Sequence, residues 1–363
     1  MEMQHTTNLA LLAPVITSGL DYKLSASLSG DAFFPAFEFQ TIDDPTHGTV
    51  DYVDSDAAWA AGMLNISAAG QVRIAADTRE TVDDGARGRK SVRLSGLTEY
   101  SSGLFVLSLE HMPTGCGTWP AFWMLGPDPW PTYGEVDIIE GVDKSTVVQT
   151  TLHTTDGCDM SSQDASAMTG DWNKGSDGSS PADNCYIDTA GQWGNQGCAV
   201  LGAPSTMGAP FNAAGGGTFA LEWDPDSHLA AWFWPAGAVP DDLTAQSPDV
   251  ASWGTPYAYF TIGDTCAPSH FANLKLTFDL TFCGDWSSYA EDYGCAADVA
   301  ANGWPATCDE FARTWPSAFG EAYWLIDSLD VYAAAGAARG GDNATAAKPP
   351  LRGLDLDTAA QVE

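Results

Sequence analysis

The chain has 363 residues, of which 44% are hydrophobic and only 17% are charged, enough apolar material for a sizeable core. Its 48 acidic residues outnumber 14 basic residues and give a formal net charge of −34 at pH 7. Such a charge repels nucleic acids, anionic membranes and polyanionic substrates, but it tolerates a neutral or cationic partner. We therefore expect no nucleic acid and no membrane as a partner.

The chain divides into three parts by composition. Residues 1–19 contain the apolar run LALLAPVI (residues 9–16), which we interpret as the remnant of a secretory signal, although no lysine or arginine precedes it. Residues 20–335 show no internal linker and predict one continuous domain. Residues 336–363 belong to an Ala/Gly-rich tail without core residues, for which we predict disorder.

The predicted elements of the central domain are short strands. Glycine, proline and aromatic residues are plentiful, and long helical periodicity is scarce. Four runs alternate or are rich in strand-forming residues, and turn residues separate them. These runs are SVRLS (91–95), LFVLSLE (104–110), KLTFDLTF (275–282) and YWLIDSLDVY (323–332). The pattern predicts an all-β protein.

Eight cysteines are scattered along the chain, with neither a CxxC motif nor the Cys/His spacing of a zinc site. An even number of dispersed cysteines favours a disulfide framework formed in an oxidising compartment. The pairing stays open, because too many connectivities are compatible with the sequence. The segment 157–217 is rich in Gly, Ser, Asp and Asn and holds three cysteines, which predicts long loops joined by disulfides.

The most informative stretch is GEVDIIEG, residues 134–141, which places three carboxylates in an apolar run. On a regular strand Glu135 and Asp137 share one face, and Glu140 points to the other. A β-bulge inserts one residue and re-aims the side chains that follow. We therefore predict a bulge near Ile138 or Ile139, which brings the three acids onto one face.

A retaining glycosidase needs two carboxyl groups about 5–5.5 Å apart, one as the nucleophile and the other as the acid and base. Acids in an apolar and aromatic setting repel one another and are costly to desolvate unless function retains them. The competing interpretation is a partly solvated strand with acids on its wet face. Because perturbed acids cluster at functional sites, the catalytic interpretation is favoured.

The longer segment GCGTWPAFWMLGPDPWPTYGEVDIIEGV, residues 115–142, resembles the signature of glycoside hydrolase family 16, in particular the fungal laminarinase-like endo-β-1,3(4)-glucanases. Further segments resemble that group in the same order, and the likeness covers most of residues 20–335. They are DPTHGTVDYV (44–53), SVRL (91–94), TLHT (151–154) and FCGDW (282–286). The resemblance implies a jelly-roll, concanavalin A-like β-sandwich with an open cleft on its concave sheet.

The resemblance also implies the catalytic roles. Glu135 would be the nucleophile, Glu140 the acid and then the base, and Asp137 an assisting group that tunes both. This division needs one ionised and one protonated carboxyl at working pH, and mutual repulsion raises the pKa of one member of such a set. We therefore expect an acidic pH optimum.

Aromatic rings stack on the apolar faces of sugars, so tryptophans near these acids are candidates for binding the glucan. For each tryptophan the alternative is core packing. For His153, which follows the strand of the three acids, the alternative is a structural histidine with satisfied hydrogen bonds. For Arg93, which lies on a β-run, the alternative is a salt bridge to an acidic residue. The resemblance implies substrate contacts for Trp123, Trp130, His153, Arg93 and Trp286. Trp119 is a further candidate from the residues alone, because it alternates with Ala121 and Trp123 in the run TWPAFW (118–123), and residues i, i+2 and i+4 of a strand share a face.

The chemistry requires no cofactor. Asp51, Asp54 and Asp56 suggest a loop with some capacity for cations, but their spacing is not that of an EF-hand. Some members of the resembled family carry a structural calcium, so a bound calcium is compatible with this chain. No metal ligand set is predicted.

The resemblance implies a retaining endo-glucanase, secreted or associated with the cell wall, that cleaves internal β-1,3 linkages and adjacent β-1,4 linkages. We expect a monomer with a β-glucan as its partner. Three alternatives stay open: a transglycosylase of the same fold, a β-glucan-binding protein without activity, and an enzyme acting on agar or carrageenan. The net charge argues against sulfated polymers.

Overall fold

Two large antiparallel sheets stack face to face in the computed structural model, which describes residues 20–287, 289 and 293–334. The predicted signal remnant in residues 1–19 and the tail predicted to be disordered, residues 336–363, lie outside the described residues. The strands, in chain order, are β1 Tyr22–Leu28, β2 Phe37–Phe39, β3 Val50–Tyr52, β4 Leu64–Ile66, β5 Val72–Ala75, β6 Arg89–Ser91, β7 Arg93–Gly96, β8 Gly103–His111, β9 Thr118–Leu125, β10 Glu135–Glu140, β11 Gln149–His153, β12 Asp171–Trp172, β13 Cys198–Leu201, β14 Gly217–Asp224, β15 His228–Pro235, β16 Ala258–Thr261, β17 Lys275–Phe282 and β18 Tyr323–Ala334.

The first sheet, here called the front sheet, has the order β12-β13-β11-β10-β9-β17-β7-β2. The second, the back sheet, has the order β16-β15-β14-β8-β18-β5-β4, with β1 also paired to the long strand β18. A short parallel pair, β3 with β6, lies outside both. The four runs predicted as strands all fall on strands, and the all-β sandwich is confirmed.

The core forms where the inward faces of the two sheets meet. In β17 the residues Leu276 and Phe278 enter this core, while the alternate Thr277 and Asp279 face away from it. In β14 the residue Phe219 does the same from the back sheet. This alternation follows from the two-residue period of a strand, and it leaves the outer face of the front sheet free to carry polar groups.

The helices are short and peripheral. Thr307 caps the last of them with its hydroxyl, which accepts from the backbone N–H of Glu310. None of the helices in the described ranges is long and apolar enough to cross a membrane. Their bounds are α1 Ser55–Ala60, α2 Gly208–Ala213, α3 Asp241–Thr244, α4 Cys295–Asn302 and α5 Cys308–Thr314.

All eight cysteines form disulfides: Cys116–Cys295, Cys158–Cys266, Cys185–Cys198 and Cys283–Cys308. The disulfide framework is thus confirmed, and the structure supplies the pairing that the sequence left open. The segment 157–217 is mostly loop, as predicted. It also contains β12, β13 and α2, which the loop interpretation missed because its polar composition hides these short elements.

The three aspartates that suggested a cation-binding loop have ordinary structural partners. Asp54 caps α1 by accepting from the backbone N–H of Ala57 at 2.8 Å. Asp51 lies 3.0 Å from a guanidinium nitrogen of Arg87, and Asp56 falls in the first turn of α1. A negative charge in that turn complements the helix dipole. The compatibility of the chain with a bound calcium still rests on the family resemblance alone.

Candidate active site

A β-bulge in the middle of β10 brings the three acids of this strand together. Relative to β9, the pairing jumps from Asp137 opposite Trp123 to Ile139 opposite Phe122. Ile138 and Ile139 are both buried, whereas Glu140 returns to the face of Asp137. The predicted bulge is therefore confirmed at its predicted position. The bulge places Glu135 and Glu140 at the two ends of a single face of β10, with Asp137 between them.

The neighbouring strands extend this polar face. Residues directly opposite each other on paired strands share a face, so the register identifies the other members. On β9 these are Trp119, Ala121 and Trp123, as the sequence predicted; on β11, Gln149, Thr151 and His153; and on β17, Thr277, Asp279 and Thr281.

Each of the two glutamates accepts a hydrogen bond from an indole. Nε1 of Trp130 donates to Glu135 at 2.6 Å, and Nε1 of Trp119 donates to Glu140 at 2.8 Å. Trp286 packs edge-on against Trp119, with ring centroids 5.7 Å apart. The structure thus brings these three predicted tryptophans to the acids. Trp119 makes one of the two direct contacts.

Asp137 and His153 form a buried pair between the glutamates. Nε2 of His153 lies 3.1 Å from Oδ2 of Asp137, in a geometry that falls short of a hydrogen bond. Both Oδ2 of Asp137 and Nδ1 of His153 are buried and have no hydrogen-bond partner among the described residues. Buried polar atoms of this kind are expensive and are typical of functional sites.

Arg93 is held in the sheet beside these acids. It is buried, and its Nη1 lies 2.9 Å from a carboxylate oxygen of Asp279. Its Nε donates to Gln40 at 3.0 Å, and the guanidinium stands 4.8 Å over the ring of Trp123. The salt bridge that was the alternative interpretation of Arg93 is therefore present. A contact of Arg93 or Trp123 with a sugar stays a prediction.

Burial and mutual repulsion raise the pKa values of the three acids. Burial, followed by the charge of Asp137, raises the pKa of Glu135 to about 7, although His153 and Trp130 lower it. Burial and then Asp137 also raise the pKa of Glu140 well above its usual range. For Asp137 the causes are burial and the charge of Asp279. The cluster therefore retains protons near neutral pH, as an acid catalyst requires.

Sequence reasoning missed Asp279, which burial brings to a pKa of about 7 despite the opposing effect of Arg93. The available signal was an aspartate at the centre of the run KLTFDLTF, on the face opposite to Phe278. Sequence reasoning also missed two polar side chains beside Glu140, those of Gln149 and Asn173. Gln149 lies opposite Glu140 and accepts from Nδ2 of Asn173 at 2.7 Å.

A cavity of about 350 Å³ opens next to Gly141, the residue that follows Glu140. Gln149, Asn173 and Trp286 line it together with Lys144. Such a concave, mixed polar and aromatic surface is suited to a sugar ring. Within the described residues, one group of side chains brings three metal-ligand atoms within 4.8 Å of one another, namely Glu135, Asp137 and His153.

Comparison with known proteins agrees with this geometry. A family model described as the XgeA-like catalytic domain of glycoside hydrolase family 16 matches residues 37–332. A probable glycosidase of Schizosaccharomyces pombe is 39% identical over 314 residues, covering 86% of this chain and 69% of the relative. An endo-1,3(4)-β-glucanase of Emericella nidulans is 36% identical over 332 residues, covering 91% of this chain. The chain spans only 50% of that second relative's length.

Solved structures give the same assignment. Laminarinase 16A of Phanerochaete chrysosporium shares 37% identity and a TM-score of 0.75, covering 86% of this chain and 99% of that protein. An elongating family 16 β-1,3-glucosyltransferase shares 37% identity and a TM-score of 0.74, covering 86% of this chain and 100% of that protein. The chain belongs to glycoside hydrolase family 16, with the XgeA-like catalytic domain typical of fungal endo-1,3(4)-β-glucanases.

Proposed function

We propose that this enzyme hydrolyses internal β-1,3 linkages, and adjacent β-1,4 linkages, of β-glucans such as laminarin and mixed-linkage glucan, with retention of anomeric configuration. The observation that carries the proposal is the bulge in β10, which puts Glu135 and Glu140 on one face with Asp137 between them. The names of the relatives, endo-1,3(4)-β-glucanase and laminarinase, support the choice of substrate.

In the first step, a carboxylate oxygen of Glu135 attacks the anomeric carbon and forms an ester bond to the sugar. The carboxyl of Glu140 gives its proton to the departing glycosidic oxygen, so the leaving chain departs as a neutral alcohol. In the second step, Glu140 takes a proton from water, whose oxygen attacks the same carbon and releases Glu135. Two displacements at one carbon retain its configuration.

The surrounding residues tune these roles. The N–H of Trp130 donates to Glu135 and favours its ionised form, which is the nucleophilic one. Burial and then the charge of Asp137 raise the pKa of Glu140, so that this acid still holds its proton when substrate binds. Asp137 would assist both glutamates without contacting the leaving group.

The same proposal places the protein outside the cell, where it acts as a monomer on a neutral polysaccharide without a cofactor. Four disulfides are typical of an oxidising compartment. A net charge of −34 suits an uncharged substrate and opposes sulfated polymers.

Product analysis tests the proposal. Wild type and Glu135→Gln are incubated with laminarin and with mixed-linkage glucan, and the products are separated by size. We expect oligosaccharides from both substrates with wild type, and a rate loss of roughly a thousandfold or more in the variant. Tight binding of both glucans by both proteins without cleavage would instead indicate a β-glucan-binding protein.

Transglycosylation is the second candidate, because the cavity beside Gly141 could hold an acceptor sugar. A structural neighbour with 37% identity is an elongating family 16 β-1,3-glucosyltransferase. In that reaction a sugar hydroxyl replaces water in the second step, and Glu140 takes its proton. Products longer than the starting oligosaccharide, increasing with its concentration, would establish this activity.

A further inference from the structure

Trp193 is the most exposed large hydrophobic residue in the described part of the chain, with 63% of its surface accessible. It lies in the loop that joins Trp172, at the end of β12, to Cys198, at the start of β13. Single exposed apolar residues are common and need no function. The construction of this loop and its position on the front sheet set Trp193 apart from them.

The loop is fixed by a dense set of contacts. A disulfide joins Cys185 to Cys198 at its base. The side chain of Gln192 accepts from the backbone N–H of Asn184 at 3.0 Å and donates to the carbonyl of Gly197 at 2.7 Å. A loop that is ordered in advance loses little conformational entropy when a ligand binds to it.

A second glutamine anchors Trp193 itself. Oε1 of Gln196 accepts from the backbone N–H of Trp193 at 2.9 Å, and Nε2 of Gln196 donates to the carbonyl of Lys174 at 2.7 Å. Lys174 directly follows Asn173, which lines the cavity beside Gly141. A short series of bonded residues, Asn173, Lys174 and Gln196, therefore connects the wall of that cavity to Trp193.

The position of the loop relative to the acids follows from the strand order. β13 is separated from β10 by β11 alone, so the base of the loop lies roughly 10 Å from the catalytic strand. The loop joins β13 at the end of the sheet where Glu135 and His153 lie opposite each other. A Cβ atom added at Gly197 would come within 2.9 Å of Nδ1 of His153. The loop thus contacts the active site directly.

We propose that Trp193 is a distal binding site for the glucan chain, stacking on a sugar ring beyond those held at the catalytic centre. This inference rests on the proposed function. A broad, neutral indole matches the apolar face of a sugar, and a neutral chain meets no repulsion from the acidic surface. Such a contact is equal in the ground and transition states, so it lowers KM for long substrates and leaves kcat unchanged.

The test compares Trp193→Ala and Trp193→Tyr with a matched control, Trp59→Ala. Trp59 is also exposed, at 43%, but it lies on α1 and packs edge-on against Phe34. KM and kcat are measured on laminarin and on laminari-oligosaccharides of increasing length. We expect Trp193→Ala to raise the KM for laminarin roughly threefold to tenfold relative to the KM for the shortest substrate. The tyrosine variant and the control should keep the wild-type ratio.

Binding of laminarin is also measured by calorimetry in the Glu135→Gln background, with and without Trp193→Ala, after circular dichroism has confirmed folding. A wild-type enzyme that cleaves β-glucans, combined with a Trp193→Ala variant whose KM is unchanged at every chain length, refutes the distal site and leaves the proposed function standing. An equal loss on short and long substrates refutes it as well. A wild-type protein that neither binds nor cleaves β-glucan refutes both.

Discussion

Two buried pairs of a carboxylate and an imidazole lie on different sheets of this enzyme. On the front sheet, Asp137 and His153 approach to 3.1 Å within the catalytic face. On the back sheet, Glu222 and His228 approach to 2.9 Å, far from the catalytic acids in sequence and on the other layer. The composition of the two pairs is alike, but their surroundings differ.

The back-sheet pair has its hydrogen bonds satisfied. The hydroxyl of Tyr22 donates to the second oxygen of Glu222 at 2.8 Å, and Nδ1 of His228 lies 2.8 Å from the hydroxyl of Ser227. This network ties β1 to β14 and β15. A fully satisfied polar network stabilises one structure, and it has no remaining capacity to bind a ligand.

The front-sheet pair, by contrast, keeps polar atoms that are able to form hydrogen bonds with a ligand. Oδ2 of Asp137 and Nδ1 of His153 are buried without a hydrogen-bond partner among the described residues. The fold bears the cost of these unpaired groups, and the same groups can interact with substrate and with the two glutamates. Hydrogen-bond satisfaction, more than residue type, therefore distinguishes a structural acid–histidine pair from one that keeps unpaired atoms for a ligand.

Matched substitutions of one acid on each sheet give the largest expected effects. Glu140→Gln removes the proposed proton donor, so we expect kcat/KM on laminarin to fall roughly 10²- to 10⁴-fold with no loss of stability. Glu222→Gln disrupts the satisfied network, so we expect near-normal kcat/KM and a free energy of unfolding lowered by about 1–3 kcal/mol. Kinetics and urea denaturation measure both. An inactive but fully stable Glu222→Gln variant would contradict the comparison.

The pH dependence of stability gives the next largest effect. Folding raises the pKa of Glu135 from 4.5 to about 7, so the folded state binds its proton more tightly. The associated stability is complete below about pH 4.5 and is lost as pH rises through 7. At this partly exposed carboxyl we expect a loss of about 1–3 kcal/mol between pH 5 and 8, after allowing for solvent screening.

The measurement is the difference in free energy of unfolding between wild type and Glu135→Gln at each pH, since the contributions of acids outside the cluster cancel in this difference. Glutamine carries no titrating carboxyl, so the variant should gain stability relative to wild type as pH rises. A difference that stays constant from pH 5 to 8 would show that the front-sheet cluster is not destabilised by ionisation.

The two indole donors give the smallest effects. Replacing Trp130 by phenylalanine removes the N–H that favours ionised Glu135, so the acid limb of the kcat/KM profile should move up by as much as about one pH unit. Trp119→Phe should likewise move the alkaline limb upward through Glu140. The matched control is Trp253→Phe, because Trp253 donates to Asp242 at 2.8 Å on the back-sheet side. Unshifted limbs in both front-sheet variants would refute the tuning role.

The sequence predicted the bulge because Glu140 lies five positions after Glu135, a spacing that alternation alone cannot place on one face. It also predicted the shared face of Trp119 and Trp123, because residues i and i+4 on a strand point the same way. These features are local. Their physical causes lie within one strand, so a single segment of sequence contains them.

Features that depend on distant parts of the chain could not be predicted. The role of Asp279 depends on the register between β17 and β7, which sets it beside Arg93 across 186 positions of sequence. The disulfide pairing and the anchoring of Trp193 by Gln196 also depend on loop conformations. Sequence composition identified these loops but left their contacts undetermined.

The most direct test of the account is covalent trapping of the glycosyl-enzyme. The wild type is incubated with a fluorinated laminaribiosyl fluoride, whose second fluorine slows the release of sugar from the nucleophile, and the labelled peptide is mapped by mass spectrometry. We expect one sugar ester on Glu135, its absence in Glu135→Gln, and normal labelling in Glu222→Gln. A label on another residue, or unlabelled enzyme whose products have inverted configuration, would contradict it.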